Sequence, residues 1–488
     1  MRGDGAPSVA QRIVGALSWN YGGAAASVAL QLGYTAYTAR AVGHGAFGSY
    51  AIALSLVQLF GLFAAAGLTT CVLRAERLTR ATVRAALRLG LLTGLGCWLL
   101  LQASAPLAAQ FWHMPELTTT LRLLGCQYLV QPACGVLLSA LRRCGRHSQA
   151  VLAELGGQAV GSAVAAVVLA CTGSPYALAL AAPAAAVATL VWVAPAMVRL
   201  ALPSGQPPRA RELVGLSGFL SGFALLRQTA ASAPLWAAGL LLGPAAAGLY
   251  SRAQLLADIP LNFLVRGLNQ AAVPMLAEHR KSDRPLKGPA RYLLYGASAG
   301  FIAFGVLAGA GPSALALLLG PGWEGAAALV PPLACCAALQ LVYAAGCSLD
   351  LARDARRDLV RTQVVLLTAT TVALAAAVRW PGTPLIIAAV SAGPAAGHAV
   401  QLIRWQRCGI ADAADVVRAH LVHATAGVCL AAAGLWGGGH GGLPAAVLAM
   451  VPVVSVCVLL RGRLPAVRAA TRLGLLPTRR KEPECVTP

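Results

Sequence analysis

A chain of 488 residues with only 11% charged and 58% hydrophobic side chains cannot cover a globular exterior in water, which takes roughly 25% charged residues, so lipid must solvate much of it. Its net charge of +22 sits in short Lys/Arg patches between apolar runs, the pattern of membrane topology signals rather than of a solvated basic face, and no nucleic-acid partner is expected. The thirteen cysteines contain no CxxC pair, so neither a disulfide framework nor a structural zinc site is indicated.

One crossing takes about 20 apolar residues. Breaks at Arg clusters, Gly/Pro and polar residues then predict spans over 13–39, 47–73, 85–105, 119–141, 150–171, 176–198, 214–242, 248–275, 292–319, 326–349, 360–378, 384–403, 417–436 and 443–461. The shortest turns, Gly173-Ser174-Pro175 and Gly243-Pro244, are helix breakers. The first apolar run exceeds the roughly 7–15 residues of a signal core and is read as a retained span. The fold class is therefore an all-α polytopic membrane protein of about fourteen transmembrane helices.

Charge orients the spans. With the N-terminus in the cytoplasm, 32 of the 38 Lys and Arg residues fall on the cytoplasmic side, in Arg74–Arg88, Arg142–Arg146, Arg199–Arg211, Arg280–Arg291, Arg353–Arg361, Arg404–Arg418 and the two tails. Arg40, Arg122 and Arg379 fall outside, and Arg227, Arg252 and Arg266 lie within spans. The expected location is a cell (inner or plasma) membrane with both termini cytoplasmic. The basic C-terminal tail, from Arg461, either lies on the anionic inner leaflet or is solvated.

Two stretches 200 residues apart read alike: Gly43-His44-Gly45-Ala46-Phe47-Gly48-Ser49-Tyr50 and Gly243-Pro244-Ala245-Ala246-Ala247-Gly248-Leu249-Tyr250. Each joins an odd span to the next on the outside, which implies a parallel repeat of six spans; the alternative is chance matching of Ala/Gly-rich segments. Residues 1–200 and 201–405 would be two six-helix lobes, 406–462 two additional helices and 463–488 a tail. Repeated halves around a midplane site are characteristic of secondary transporters.

No GxxxxGK[ST] loop, HExxH or GxSxG elbow is present, and no soluble segment exceeds about 25 residues, so neither an enzyme nor a cofactor is expected. The informative residues are ionisable groups inside spans, which face cavities or partners. Arg227 lies midway along span 7. Span 8 carries Arg252, Asp258, Asn262 and Arg266; Arg252 and Arg266 are about 40° apart at 100° per residue, with Asp258, Asn262 and Arg266 on an adjacent stripe. Arg252 is also placed to snorkel, and Asp258 to pair with an arginine. An arginine-rich cavity suits an anionic, phosphorylated cargo, because guanidinium groups match phosphate oxygens bidentately. Span 1 carries a polar face, Asn20 and Gln31 among it, suited to interhelical hydrogen bonds or to sugar hydroxyls, and has no acidic residue. Glu154 lies near the cytoplasmic end of span 5.

These residues also carry a resemblance. Ala39-Arg40-Ala41-Val42-Gly43 with Phe47-Gly48-Ser49-Tyr50 resembles the A-R-x-L-G-P-x-x-F-G-x-Y signature of bacterial polysaccharide flippases. Gly243-Pro244 through Gly248-Leu249-Tyr250-Ser251-Arg252-Ala253, then Leu256 and Pro260, is similar to the second-half signature, and Leu319-Gly320-Pro321-Gly322-Trp323 to a turn before span 10. His44 replaces the usual proline, and Tyr50 lacks a following arginine. The resemblance implies the multidrug/oligosaccharidyl-lipid/polysaccharide exporter superfamily, two lobes around a cavity, and a cargo of undecaprenyl-pyrophosphate-linked oligosaccharide moved to the outer leaflet. It further implies H+ or Na+ as coupling ion and, as partners, membrane lipids and the glycosyltransferases and polymerase of the same pathway. Arg227, Arg266, Arg252, Asp258, Asn262, Arg40, Asn20 and Gln31 are the candidate substrate-binding residues. A drug/cation antiporter of the same superfamily and a membrane-embedded polymerase or glycosyltransferase are the alternatives.

Overall fold

The computed structural model describes residues 9–65, 78–198, 210–282 and 286–460, with a few isolated positions besides. The Arg74, Arg77 and Arg209 positions and most of the basic C-terminal tail lie outside the described residues. Those described are helical almost throughout. In chain order the helices are α1 (Val9–Ala41), α2 (His44–Ala65), α3 (Arg80–Trp112), α4 (Glu116–Gly125), α5 (Gln131–Arg143), α6 (His147–Thr172), α7 (Ala181–Val198) and α8 (Ala210–Leu242). They continue as α9 (Pro244–Lys281), α10 (Lys287–Ser298), α11 (Gly300–Leu319), α12 (Glu324–Ala352), α13 (Arg356–Arg379), α14 (Thr383–Arg407) and α15 (Ala413–Leu459).

The punctuation follows the backbone chemistry of the sequence. Gly173 (φ 64°) ends α6 and Gly243 (φ 88°) separates α8 from α9, both in the left-handed region that glycine enters without steric cost. A 3₁₀ turn, Cys126–Leu129, joins α4 to α5, and Ala299 joins α10 to α11, so each pair makes one pass. Within α15 the helix breaks at Gly441 and Gly442, dividing it into two passes. The passes thus correspond to the spans read from the sequence. Ten stretches among the described residues are long and apolar enough to cross a membrane by length and composition, so this is a multi-pass membrane protein. His279 and His440 lie within α9 and α15.

Two compact units make up the chain: Met1–Ser251 with Leu318–Gly320, and Arg252–Leu317 with Pro321–Pro488. In the first, α6 packs along α7. A Cβ added at Gly161 would lie 2.7 Å from Ala185 Cβ, and one at Gly157 2.8 Å from the Ala185 carbonyl oxygen. Lipid tails offer helices no hydrophobic drive to associate, so close backbone approach at small residues has to supply it. In the second unit α11 and α15 do the same: the Cβ positions of Gly309 and Gly434 would fall 3.0 and 2.6 Å from the opposite Cα.

The repeated motif has a structural counterpart inside the first unit. The start of α2 meets the start of α9, glycine to glycine. A Cβ at Gly48 would sit 2.7 Å from the Pro244 carbonyl carbon and 3.0 Å from Gly248 N; one at Gly248 would sit 2.9 Å from the His44 carbonyl carbon and 3.2 Å from Gly48 N. The contacts are reciprocal, as a two-fold relation between the two motifs requires. They use backbone only, which is why His44 can stand where its counterpart is Pro244.

Candidate functional site

α9 begins at Pro244, whose missing N–H is no loss in a first helical turn, and runs for 38 residues. Along it Asn262, Arg266 and Gln270 are exposed and Asp258 is half-buried. These four recur every fourth residue, so they form one open polar stripe on the helix surface. Asp258, Asn262 and Arg266 have no ion-pair or hydrogen-bond partner among the described residues. The pairing considered for Asp258 is therefore not made. Arg252, nearly three turns before Asn262, is half-buried and engaged.

Arg227 lies in the middle of α8 and is exposed, also without an ion-pair partner among the described residues. One position on, Gln228 donates to Gln58 Oε1 of α2 at 3.2 Å and to Ser232 Oγ at 3.3 Å. Arg227 belongs to the first compact unit and the Asp258–Arg266 stripe to the second.

On α1, Asn20 and Gln31 are exposed. Eleven residues separate them, which brings them to within about 20° on a helix. Between them Ser27 is taken up by α6: its Oγ donates to Gln158 Oε1 at 2.6 Å, and Gln158 Nε2 returns a bond to the Ser27 carbonyl at 3.3 Å. Part of the polar face of span 1 thus serves interhelical bonding. Nearby, Ser18, Trp19, Gly22, Gly23, Ala26, Val151 and Leu155 line an open cavity of about 390 Å³. Arg40, at the end of α1, is exposed and reaches the Gly320 turn, its Nε 3.5 Å from where a Cβ at Gly320 would be. The structure so joins the two expected turns carrying Arg40 and Gly320, but it does not gather the candidate residues into one cluster within either unit.

Glu154, the remaining acidic residue of interest, is a partner of Arg142 at 2.6 Å. Sequence reading missed a denser polar centre in the second unit. Asp350, fully buried, forms an ion pair with Arg404 and accepts from Trp405 Nε1 at 3.0 Å. Arg404 also donates to Thr362 Oγ1 at 3.2 Å and to the Asp358 carbonyl at 3.3 Å. His398 lies on α14 as well, and His420 and His423 lie on α15. Their signal was available as polar residues within apolar spans 12 and 13, but histidines 22 residues apart do not announce that they meet.

A family model described as "Polysaccharide biosynthesis protein" matches residues 38–328, well over half of the chain. No curated protein matches it. Among solved structures it is similar to the lipid II flippase MurJ in an inward closed conformation, with TM-score 0.65, 9% identity, and coverage of 92% of this chain and 99% of that one. It is similar as well to an inward-facing multidrug resistance MATE family transporter of the MOP superfamily, with TM-score 0.61, 14% identity and coverage of 80% and 96%. A MOP superfamily transporter from Pyrococcus furiosus gives TM-score 0.56 at 14% identity, covering 81% and 95%. The fold is accordingly that of MOP superfamily transporters; these neighbours are transporters and flippases, not enzymes.

Proposed function

Because the chain belongs to the polysaccharide biosynthesis protein family, we propose that it is a flippase that carries an undecaprenyl-pyrophosphate-linked oligosaccharide from the inner to the outer leaflet of the cell membrane, its two halves working by alternating access. Both termini are then cytoplasmic, as the distribution of Lys and Arg requires. The observation that carries this reading is the pair Arg227 and Arg266. Each is a guanidinium group in a membrane-crossing helix, exposed and without a carboxylate partner among the described residues. A charge so placed is tolerated only against water or a counter-ion, and a pyrophosphate supplies that counter-ion with bidentate geometry. Asn262 beside Arg266, and Asn20 and Gln31 on α1, offer amides for sugar hydroxyls.

The test uses proteoliposomes containing the purified chain and a fluorescent lipid-linked oligosaccharide. Arg227→Ala and Arg266→Ala each lower translocation at least tenfold while the amount of folded protein is unchanged. Translocation at the parental rate by both variants overturns the assignment of these residues. Export of cationic drugs in place of lipid-linked sugar would favour the antiporter reading, and glycan-bond formation by the purified chain would favour a transferase.

A further inference from the structure

Three histidines of the second unit sit outside everything assigned so far. His398 of α14 and His420 of α15 face each other with Nε2 to Nε2 at 3.1 Å. His423, one turn further along α15 and fully buried, has Nδ1 2.8 Å from Ser298 Oγ of α10. Two ring nitrogens, His420 Nδ1 and His423 Nε2, are buried without a hydrogen-bond partner.

The surrounding bonds determine where the protons are. Gln401 Nε2 donates to the Tyr343 carbonyl at 3.4 Å, which turns Gln401 Oε1 toward His398 Nδ1 at 3.1 Å. An amide oxygen only accepts, so His398 carries its proton on Nδ1, and its Nε2 presents a lone pair. His420 Nε2 must then be the donor of the histidine–histidine bond, which leaves His420 Nδ1 bare. The same logic applies at the third ring. Ser298 donates its own proton to the Tyr295 carbonyl at 2.8 Å, so its oxygen accepts from His423 Nδ1 and leaves His423 Nε2 bare. The neutral network therefore ends in two basic nitrogens on one helix with nothing to accept from.

We propose that His398, His420 and His423 form a proton-binding site that links protonation to the packing of α15 against α14 and α10. A proton arriving at His420 Nδ1 makes that ring an imidazolium, and its Nε2–H bond to His398 becomes charge-assisted, the stronger kind. His420 as a whole is only partly buried, while its Nδ1 is covered. Its neighbours suit a proton and no other cation. From α14 the pair meets Gln401 and the edge of Trp405, 6.1 Å between ring centroids. From α11 it meets Phe301, at 5.9 Å. From α12, the Tyr343 carbonyl and Cys347 Sγ accept from Gln401. From α10, Ser298 bonds His423, while Arg291 is occupied by Asp415 of α15. The carboxylate of Asp350 is taken by Arg404 and Trp405, and Arg418 by Asp415. Among the described residues no carboxylate touches the imidazoles, and no three His, Cys, Asp or Glu side chains converge on a metal position.

The link to transport rests on the flippase reading; the proton site does not. Two measurements separate them. In the first, the full chain labelled with ¹⁵N-histidine is placed in nanodiscs and followed by NMR from about pH 8 to about pH 3, which extends below the range of about pH 5 to 8 in which an unperturbed histidine changes charge. His398 and His423 are expected as Nδ1–H tautomers and His420 as Nε2–H, with His420 alone gaining a second proton on acidification; this resonance is lost in His420→Gln. Reversed tautomers, or three rings that stay neutral throughout, overturn the site, and this reading needs only the parent protein. In the second, proteoliposomes carry a pH gradient or a Na+ gradient. The pH gradient accelerates translocation by the parent, and His398→Gln and His420→Gln lose that acceleration while keeping the gradient-free rate. Acceleration retained in both variants overturns the coupling. If no variant or parent moves lipid-linked sugar, the flippase reading fails and the NMR result still decides the proton site.

Discussion

Replacing Gly48 or Gly248 by alanine tests the reciprocal crossing of α2 and α9. The added methyl at Gly48 would lie 2.7 Å from the Pro244 carbonyl carbon and 3.0 Å from Gly248 N; its counterpart would lie 2.9 and 3.2 Å from the equivalent atoms. Carbon atoms pack best at about 3.5–4.0 Å, so the helices must part by about 1 Å, which forfeits about a quarter to a half of each affected contact. Backbone is on the receiving side in both cases and cannot swing away as a side chain would. Overpacking of this kind costs about 1–3 kcal/mol, and each single substitution is expected in the upper half of that range. One separation accommodates both methyls, so the double variant should cost less than the sum by about 1 kcal/mol or more, as coupled neighbours do. SDS-titration unfolding of the purified parent, both single variants and the double variant measures this directly. Single costs below about 0.5 kcal/mol, or costs additive within about 0.3 kcal/mol, would refute the shared contact.

Other substitutions probe the packing of the second unit and the surface of the first. Asp350→Ala strands the buried guanidinium of Arg404 and the indole N–H of Trp405, and should destabilise by about 3–5 kcal/mol in the same unfolding assay. Asp350→Leu combined with Arg404→Met removes both charges and should recover most of that loss. Gly309→Leu, directed at the Gly434 backbone 3.0 Å away, should loosen α15 and expose the Gly441–Gly442 bend to limited proteolysis. Glu154→Gln is expected to change stability by no more than about 1 kcal/mol, since its pair with Arg142 is partly open to solvent. Ser27→Ala should cost about 0.6 kcal/mol, the usual worth of an interhelical hydrogen bond in a membrane, and leave translocation unchanged.

The spans, their breaks at Gly173 and Gly243, and the expected orientation could all be read from the chain itself. Hydropathy is summed over neighbours in sequence, and a glycine that needs the left-handed region is a local fact. The paired motifs at 43–50 and 243–250 were legible too, as matching letters. Which helix face meets which could not be read this way. Gly48 against Gly248, Arg404 against Asp350 and His398 against His420 are set by the rotation and crossing of helices tens to hundreds of residues apart. An apolar window scores a buried ion pair and a lipid-facing leucine stretch by the same sum. Sequence by itself established a membrane protein with repeated motifs and arginines within its spans. Only the tertiary structure decided that the remaining polar residues divide into an open stripe on α9 and a closed histidine network on α14 and α15, because a buried polar group is defined by the partners that reach it.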